Sequence, residues 1–140
     1  MLVIDASVAI LWAVPAAQSQ LSETALGLLR RYVDRDLEFV VPEVFWAEIA
    51  NALCKGVRQL RWRREDAEEG VADLIHYNFD TVPSLLLMED ALPIALNFGV
   101  SIYDCLYVSL ALQAKAELIT ADERLANALA ARFPVKWLGA

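Results

Sequence analysis

The sequence predicts an α/β fold with a mainly parallel sheet covered by helices on both faces. Two observations carry this. Short apolar runs (LVI, EFVV, ELIT) alternate along the chain with longer segments of helical periodicity, the order that builds parallel sheets, and such sheets are buried on both faces. No internal repeat and no Gly-, Ser- or Pro-rich linker divides the 140 residues, so residues 1–140 are expected to form one domain.

Each element follows in order. Leu2–Ile4 reads as a short buried strand ending at Asp5, and 7–14 as a short helix stopped by Pro15. Gln20–Val33 is helical in period, with Leu21, Ala25, Leu28, Leu29 and Tyr32 on one side. A second buried strand covers 38–41, and Pro42 suits the first turn of the next helix, expected over 43–57 with Gly56 as an earlier stop. Arg64–Tyr77 is another helix. Segment 85–98 has a helical pattern that Pro93 should kink or split, and Gly99 stops it. Ser101 caps a helix over 102–115. Glu117–Thr120 reads as a strand, 122–132 as a helix and 135–138 as the last strand.

Composition sets limits on function. The hydrophobic fraction is 58%, with mean hydropathy +0.40. That content offsets the entropy of ordering, so disorder is excluded. The apolar surplus in a small chain predicts surface buried against a partner, and a homodimer is expected. Cys54 and Cys105 each sit in an apolar stretch and read as reduced core residues of a cytoplasmic protein. The apolar start carries Asp5 and lacks a basic n-region, which argues against secretion. No uncharged apolar run approaches the roughly 20 residues of a membrane helix. The net charge of −7 argues against broad nucleic-acid binding. Yet Lys55, Arg58, Arg61, Arg63 and Arg64 put five of twelve basic residues into ten positions.

Three carboxylates stand where a charge is costly. Asp5 is the only charge in residues 1–14, and Asp104 the only one in 102–112. In 44–54 nine of eleven residues are apolar, and the exceptions are Glu48 and Asn51, which share a helix face. Segments so apolar are buried, and a lone buried carboxylate needs a partner. Asp122 follows the strand ELIT as Asp5 follows LVI, which puts both at the carboxyl rim of a parallel sheet, where ligands bind. Crowded carboxylates repel. A hard divalent cation, Mg²⁺ or Mn²⁺, relieves this through oxygen ligands, whereas one His and no close Cys pair disfavour zinc. Each acid also has a plain structural reading. Asp5 or Ser7 would cap the first helix, Ser101-x-x-Asp104 and Thr120-x-x-Glu123 read as capping boxes, and Glu48 would be a solvated helix residue.

Asp5 in LVIDAS, Glu48 and Asn51 in AEIAN, Asp104 in IYDCLYVSLA and Asp122 in LITADERLA resemble, in order and spacing, the PIN-domain family. The length resembles its VapC group, the ribonuclease toxins of type II toxin–antitoxin pairs. The resemblance implies a small α/β/α sandwich, a Mg²⁺- or Mn²⁺-dependent endoribonuclease, a homodimer and a neutralising antitoxin. It carries the acidic quartet onto Asp5, Glu48, Asp104 and Asp122, with Ser7, Asn51 and Thr120 as polar support. Cys105 stands where a smaller residue is expected.

The expected mechanism has a cation at Asp5 and Asp104, lowering the pKa of a water that attacks the RNA phosphate in line. A second ion near Glu48 and Asp122 would stabilise the leaving oxygen. The products are a 5′-phosphate and a 3′-hydroxyl, because His76 is the only histidine and no His pair exists to activate the 2′-hydroxyl. Lys55, Arg58, Arg61 and Arg64 are the expected contacts to RNA phosphates, with Trp62 available to stack. The same segment reads equally as helix ion pairs, Arg61–Glu65 and Arg64–Glu68. Two other functions fit parts of the pattern: a catalytically silent PIN-fold interaction module, and a haloacid-dehalogenase-like phosphatase. The phosphatase needs a second Asp where Ser7 stands.

Overall fold

The computed structural model describes residues 1–16 and 19–140. In chain order they form β1 (Leu2–Ile4), α1 (Ala6–Ala13), α2 (Gln20–Val33), β2 (Phe39–Pro42), α3 (Val44–Arg58), α4 (Arg64–Tyr77) and β3 (Asp80–Val82). A 3₁₀ turn (Ser84–Leu86), α5 (Met88–Phe98), α6 (Ile102–Ala114), β4 (Glu117–Thr120), α7 (Glu123–Leu129) and β5 (Val135–Trp137) complete them.

The five strands form one sheet in the order β3-β2-β1-β4-β5, and every pairing is parallel. The chain first builds outward from β1 through β2 to β3. It then crosses back to β4, on the other side of β1. Right-handed crossovers put the helices of these two halves on opposite faces. The order therefore reverses between β1 and β4, the place where open α/β sheets bind ligands. The predicted α/β class and its parallel sheet are what the structure shows.

The core is continuous from both faces. Helix α6 is buried from Cys105 to Ala111 and packs over β1, β2 and β4. On the α1 side, Trp12, Tyr32, Phe39 and Phe79 form an aromatic cluster, with Trp12 stacked on Phe39 at 5.6 Å. The Trp12 indole N–H donates to the Ala25 carbonyl at 2.6 Å, which ties α1 to α2.

Several expectations are corrected. Gly56 does not stop α3; it lies inside the helix and is buried. A Cβ there would sit 2.0 Å from the Trp62 ring, so the glycine makes room for the indole. Pro93 neither splits nor ends its helix, which runs through it to Gly99 at φ +65°. Its missing N–H orphans only the Glu89 carbonyl, and Pro93 and Glu89 both face solvent, where water replaces the bond. The strand β3 is absent from the sequence reading, because DTV is a half-exposed edge strand that carries a charge. Cys54 is exposed, not core; Cys105 is buried as expected. Helix α7 ends at Leu129, short of 132.

Candidate active site

Asp5 ends β1. Its backbone N–H continues the sheet ladder to the Ile119 carbonyl at 3.0 Å, so the carboxylate is carried at the end of the sheet's central strand. It occupies the N-cap position of α1 but makes no capping bond. Its Oδ2 accepts instead from Ser7 Oγ (2.5 Å) and Thr120 Oγ1 (2.8 Å). Ser7 Oγ accepts in turn from the Ala121 N–H at 2.9 Å, and Thr120 Oγ1 from the Asp122 N–H at 3.1 Å. The carboxyl ends of β1 and β4 are thus locked together through Asp5. Only 6% of Asp5 is exposed, and burial raises its pKa against the lowering effect of the two hydroxyls.

Glu48 projects from the second turn of α3. The hydroxyl of Tyr107, fully buried on α6, donates to Glu48 Oε1 at 2.7 Å. Burial raises the Glu48 pKa, and Asp5 and Asp104 raise it further. Tyr107 is pushed up strongly by burial and by the Asp5 and Glu48 charges, so its hydroxyl is a fixed donor. The sequence reading missed Tyr107. Its signal was position: it follows Asp104 by three residues and so lies on the same helix face.

Asp104 lies in the first turn of α6, half-buried. Its backbone N–H donates to Ser101 Oγ at 3.1 Å, which caps the helix. Burial raises its pKa, the Ser101 side chain works against that, and the charge of Asp122 adds to the rise. Asp122 has a structural role as well: its Oδ1 accepts from the Arg124 and Leu125 N–H groups and caps α7. The expected Thr120 capping box is replaced by this cap, because Thr120 belongs to the strand and turns its hydroxyl toward Asp5.

The four acids are thus joined in one electrostatic chain: Asp104 acts on Asp5, both act on Glu48, and Asp122 acts on Asp104. Among the described residues the only ion pairs are Arg63–Glu65 and Arg64–Glu68. Among the described residues no Lys or Arg forms an ion pair with the quartet. The donors are all oxygen, which fits a hard divalent cation. Among the described residues no three His, Cys, Asp or Glu side chains stand close enough to share an ion as they are.

The remaining expected residues are not gathered here. Asn51 is exposed one turn beyond Glu48 and, among the described residues, makes no hydrogen bond to the acids. Lys55 and Arg58 are exposed on α3, roughly 10 and 15 Å along its axis from Glu48 at about 1.5 Å per residue. Arg61 precedes α4, so the expected Arg61–Glu65 pair does not form; its guanidinium lies 4.9 Å over the Trp62 ring. Arg64 pairs with Glu68 at 2.6 Å, as its spacing predicts.

A parallel α/β sheet with a buried Asp at its switch point and three more acids around it defines an acid-centred α/β protein. The PIN domain model matches residues 2–129, and the chain belongs to the PIN domain family. It is 30% identical over 135 residues to ribonuclease VapC3 of Pyrobaculum aerophilum, covering 95% of each chain. Its structure is similar to that of PAE2754 from Pyrobaculum aerophilum, with a TM-score of 0.73 and 17% identity over 99% of this chain and 83% of that one. It is also similar to a chain of a toxin–antitoxin complex from Klebsiella pneumoniae, with a TM-score of 0.61 and 12% identity over 97% and 96% of the two chains. The phosphatase alternative is not favoured: the family is different, and the position it needs is Ser7, bonded to Asp5.

Proposed function

We propose that this protein is a Mg²⁺- or Mn²⁺-dependent endoribonuclease, the toxin of a type II toxin–antitoxin pair. The observation that carries this is a buried Asp5 at the sheet's switch point, with Glu48, Asp104 and Asp122 close enough to act on it or on one another and no ion pair to any of the four among the described residues. The full-length similarity to ribonuclease VapC3 supports the substrate class.

Asp5 and Asp104 would hold the ion. When bound, it lowers the pKa of a water and offsets charge on the scissile phosphate. Asp5 supplies its free oxygen there, because Ser7 and Thr120 occupy Oδ2. Glu48 is oriented by Tyr107 through Oε1, which leaves Oε2 for the site. Asp122 keeps its second oxygen while Oδ1 caps α7. Cleavage leaves a 5′-phosphate and a 3′-hydroxyl, since the only histidine, His76, is exposed on α4. Lys55, Arg58, Arg61 and Arg64 contact phosphates farther along the RNA. The antitoxin approaches with apolar side chains and a basic residue aimed at the carboxylates, a pairing suited to arginine.

The test is RNA cleavage and thermal melting in EDTA and in Mg²⁺. Wild type should cleave only with the ion and melt higher with it, because the ion binds the folded state preferentially. Asp5→Asn and Asp104→Asn should lose cleavage and most of that stabilisation while remaining folded. Cleavage in EDTA equal to that in Mg²⁺ overturns the metal dependence. No cleavage in either, by a folded wild type, favours the silent interaction module.

A further inference from the structure

The surface next to the acids is concave. A hollow of about 300 Å³ is lined by Val100, Leu125 and Ala128 together with Asp104 and Asp122 of the quartet. Arg124 is the one cation among its lining residues. Two carboxylates and a guanidinium share this hollow, yet the arginine pairs with neither. Among the described residues the only ion pairs are the two at the start of α4. The backbone explains how Arg124 is held without using its side chain: its N–H donates to Asp122 Oδ1 at 3.0 Å. Two more lining residues have defined local roles: Gly99 ends α5 in the left-handed conformation at φ +65°, and Ser101 caps α6.

A polyanion brought to the quartet meets net negative charge, and a cation at Asp5 and Asp104 answers only for the phosphate being cut. The neighbouring phosphate needs its own counter-charge. Lys55 and Arg58 are two to three turns of α3 away from Glu48. Arg124 stands two residues after Asp122, with a free planar guanidinium of the kind that bonds phosphate through two N–H groups. Val100 and Ala128 add a small apolar patch on which a base can pack.

We infer that this hollow seats the nucleotide adjoining the cleavage point, with Arg124 binding that nucleotide's phosphate. The assignment rests on the ribonuclease reading. Steady-state cleavage of a single-stranded RNA in Mg²⁺, measured from about 50 to 200 mM salt, tests it. Arg124→Ala should raise KM about tenfold, the worth of one charge-assisted contact, and more than it lowers kcat. The slope of log KM against log salt should fall by about 0.7, the share of one phosphate on a single strand. Arg124→Lys should recover part of both. Arg132→Ala is the control, because Arg132 lies over the Phe98 ring outside the hollow; its slope should match wild type. Arg124 is exposed and its capping N–H survives substitution, so melting should not move. A wild-type KM and slope in Arg124→Ala, or an equal loss in Arg132→Ala, overturns the seat while leaving the nuclease intact. A wild type that cleaves no RNA overturns both.

Discussion

At Asp5, burial and the charge of Asp104 raise the pKa while Ser7, Thr120 and the Ala6 backbone lower it, and burial dominates. Glu48 and Asp104 are raised for the same first reason. The sign for stability follows. A carboxyl whose folded pKa lies above its unfolded one holds its proton more tightly in the native state. Its favourable contribution is present at low pH and is lost as pH rises through the raised value. Three such groups make the ion-free protein lose stability between the ordinary carboxylate range and neutrality. Asp104→Asn removes one. Melting curves in EDTA should therefore coincide for wild type and Asp104→Asn near the ordinary value of 3.8. The variant should gain on wild type as pH rises toward neutrality. A variant advantage that is constant across that window, or reversed, contradicts the burial of these charges.

At the scale of elements, the site depends on close packing behind it. Helix α4 lies against α1, and Gly70 is the contact: a Cβ there would fall 2.7 Å from the Ala13 carbonyl oxygen, a backbone atom that cannot rotate away. On propensity alone Gly70→Ala favours the helix by about 1 kcal/mol. Overpacking against backbone costs roughly 1–3 kcal/mol, so the net change should be destabilising, read as a lower urea midpoint at unchanged slope. A rise in the midpoint would mean that α1 and α4 separate freely. The elements also explain what was readable. Leu2–Ile4, Gln20–Val33, Arg64–Tyr77 and Glu117–Thr120 match their predicted bounds, because local period and flanking breakers fix them. Helix α3 and β3 did not follow local rules. Gly56 stays inside the helix with the Trp62 ring, six residues on, packed where its Cβ would be, and β3 exists because β2 offers an edge, with Val40 opposite Asp80.

For the whole molecule, the apolar surplus of the sequence has a location. Met88, Leu92 and Leu96 form an exposed stripe on α5, with Leu85 and Leu86 before it and Tyr103 and Leu112 exposed on the adjoining α6. No helix is long and apolar enough to cross a membrane among the described residues; a contiguous exposed apolar surface marks an interaction site. We propose that a second copy of the chain covers it. Leu92→Glu with Leu96→Glu should then halve the mass seen by light scattering at micromolar concentration without unfolding the protein. An unchanged dimer mass would place the interface elsewhere, and a monomeric wild type would remove it.

The sequence by itself determined the parallel α/β class and the candidacy of Asp5, Glu48, Asp104 and Asp122, since a lone charge in an apolar run is costly wherever the chain folds. The family resemblance named Ser7, Asn51 and Thr120 as polar support: Ser7 and Thr120 are bonded to Asp5, and Asn51, among the described residues, is not. Only the tertiary structure decided that Tyr107 holds Glu48 across 59 residues and that Asp122 both caps α7 and faces Asp104. It also decided that Arg124 lies beside Asp104 and Asp122 without forming an ion pair among the described residues. The physical reason is range. Propensity, period and the cost of a buried charge act within a few residues of the chain. A hydrogen bond or a repulsion between helices depends on which strands lie side by side, and that is fixed by the order β3-β2-β1-β4-β5.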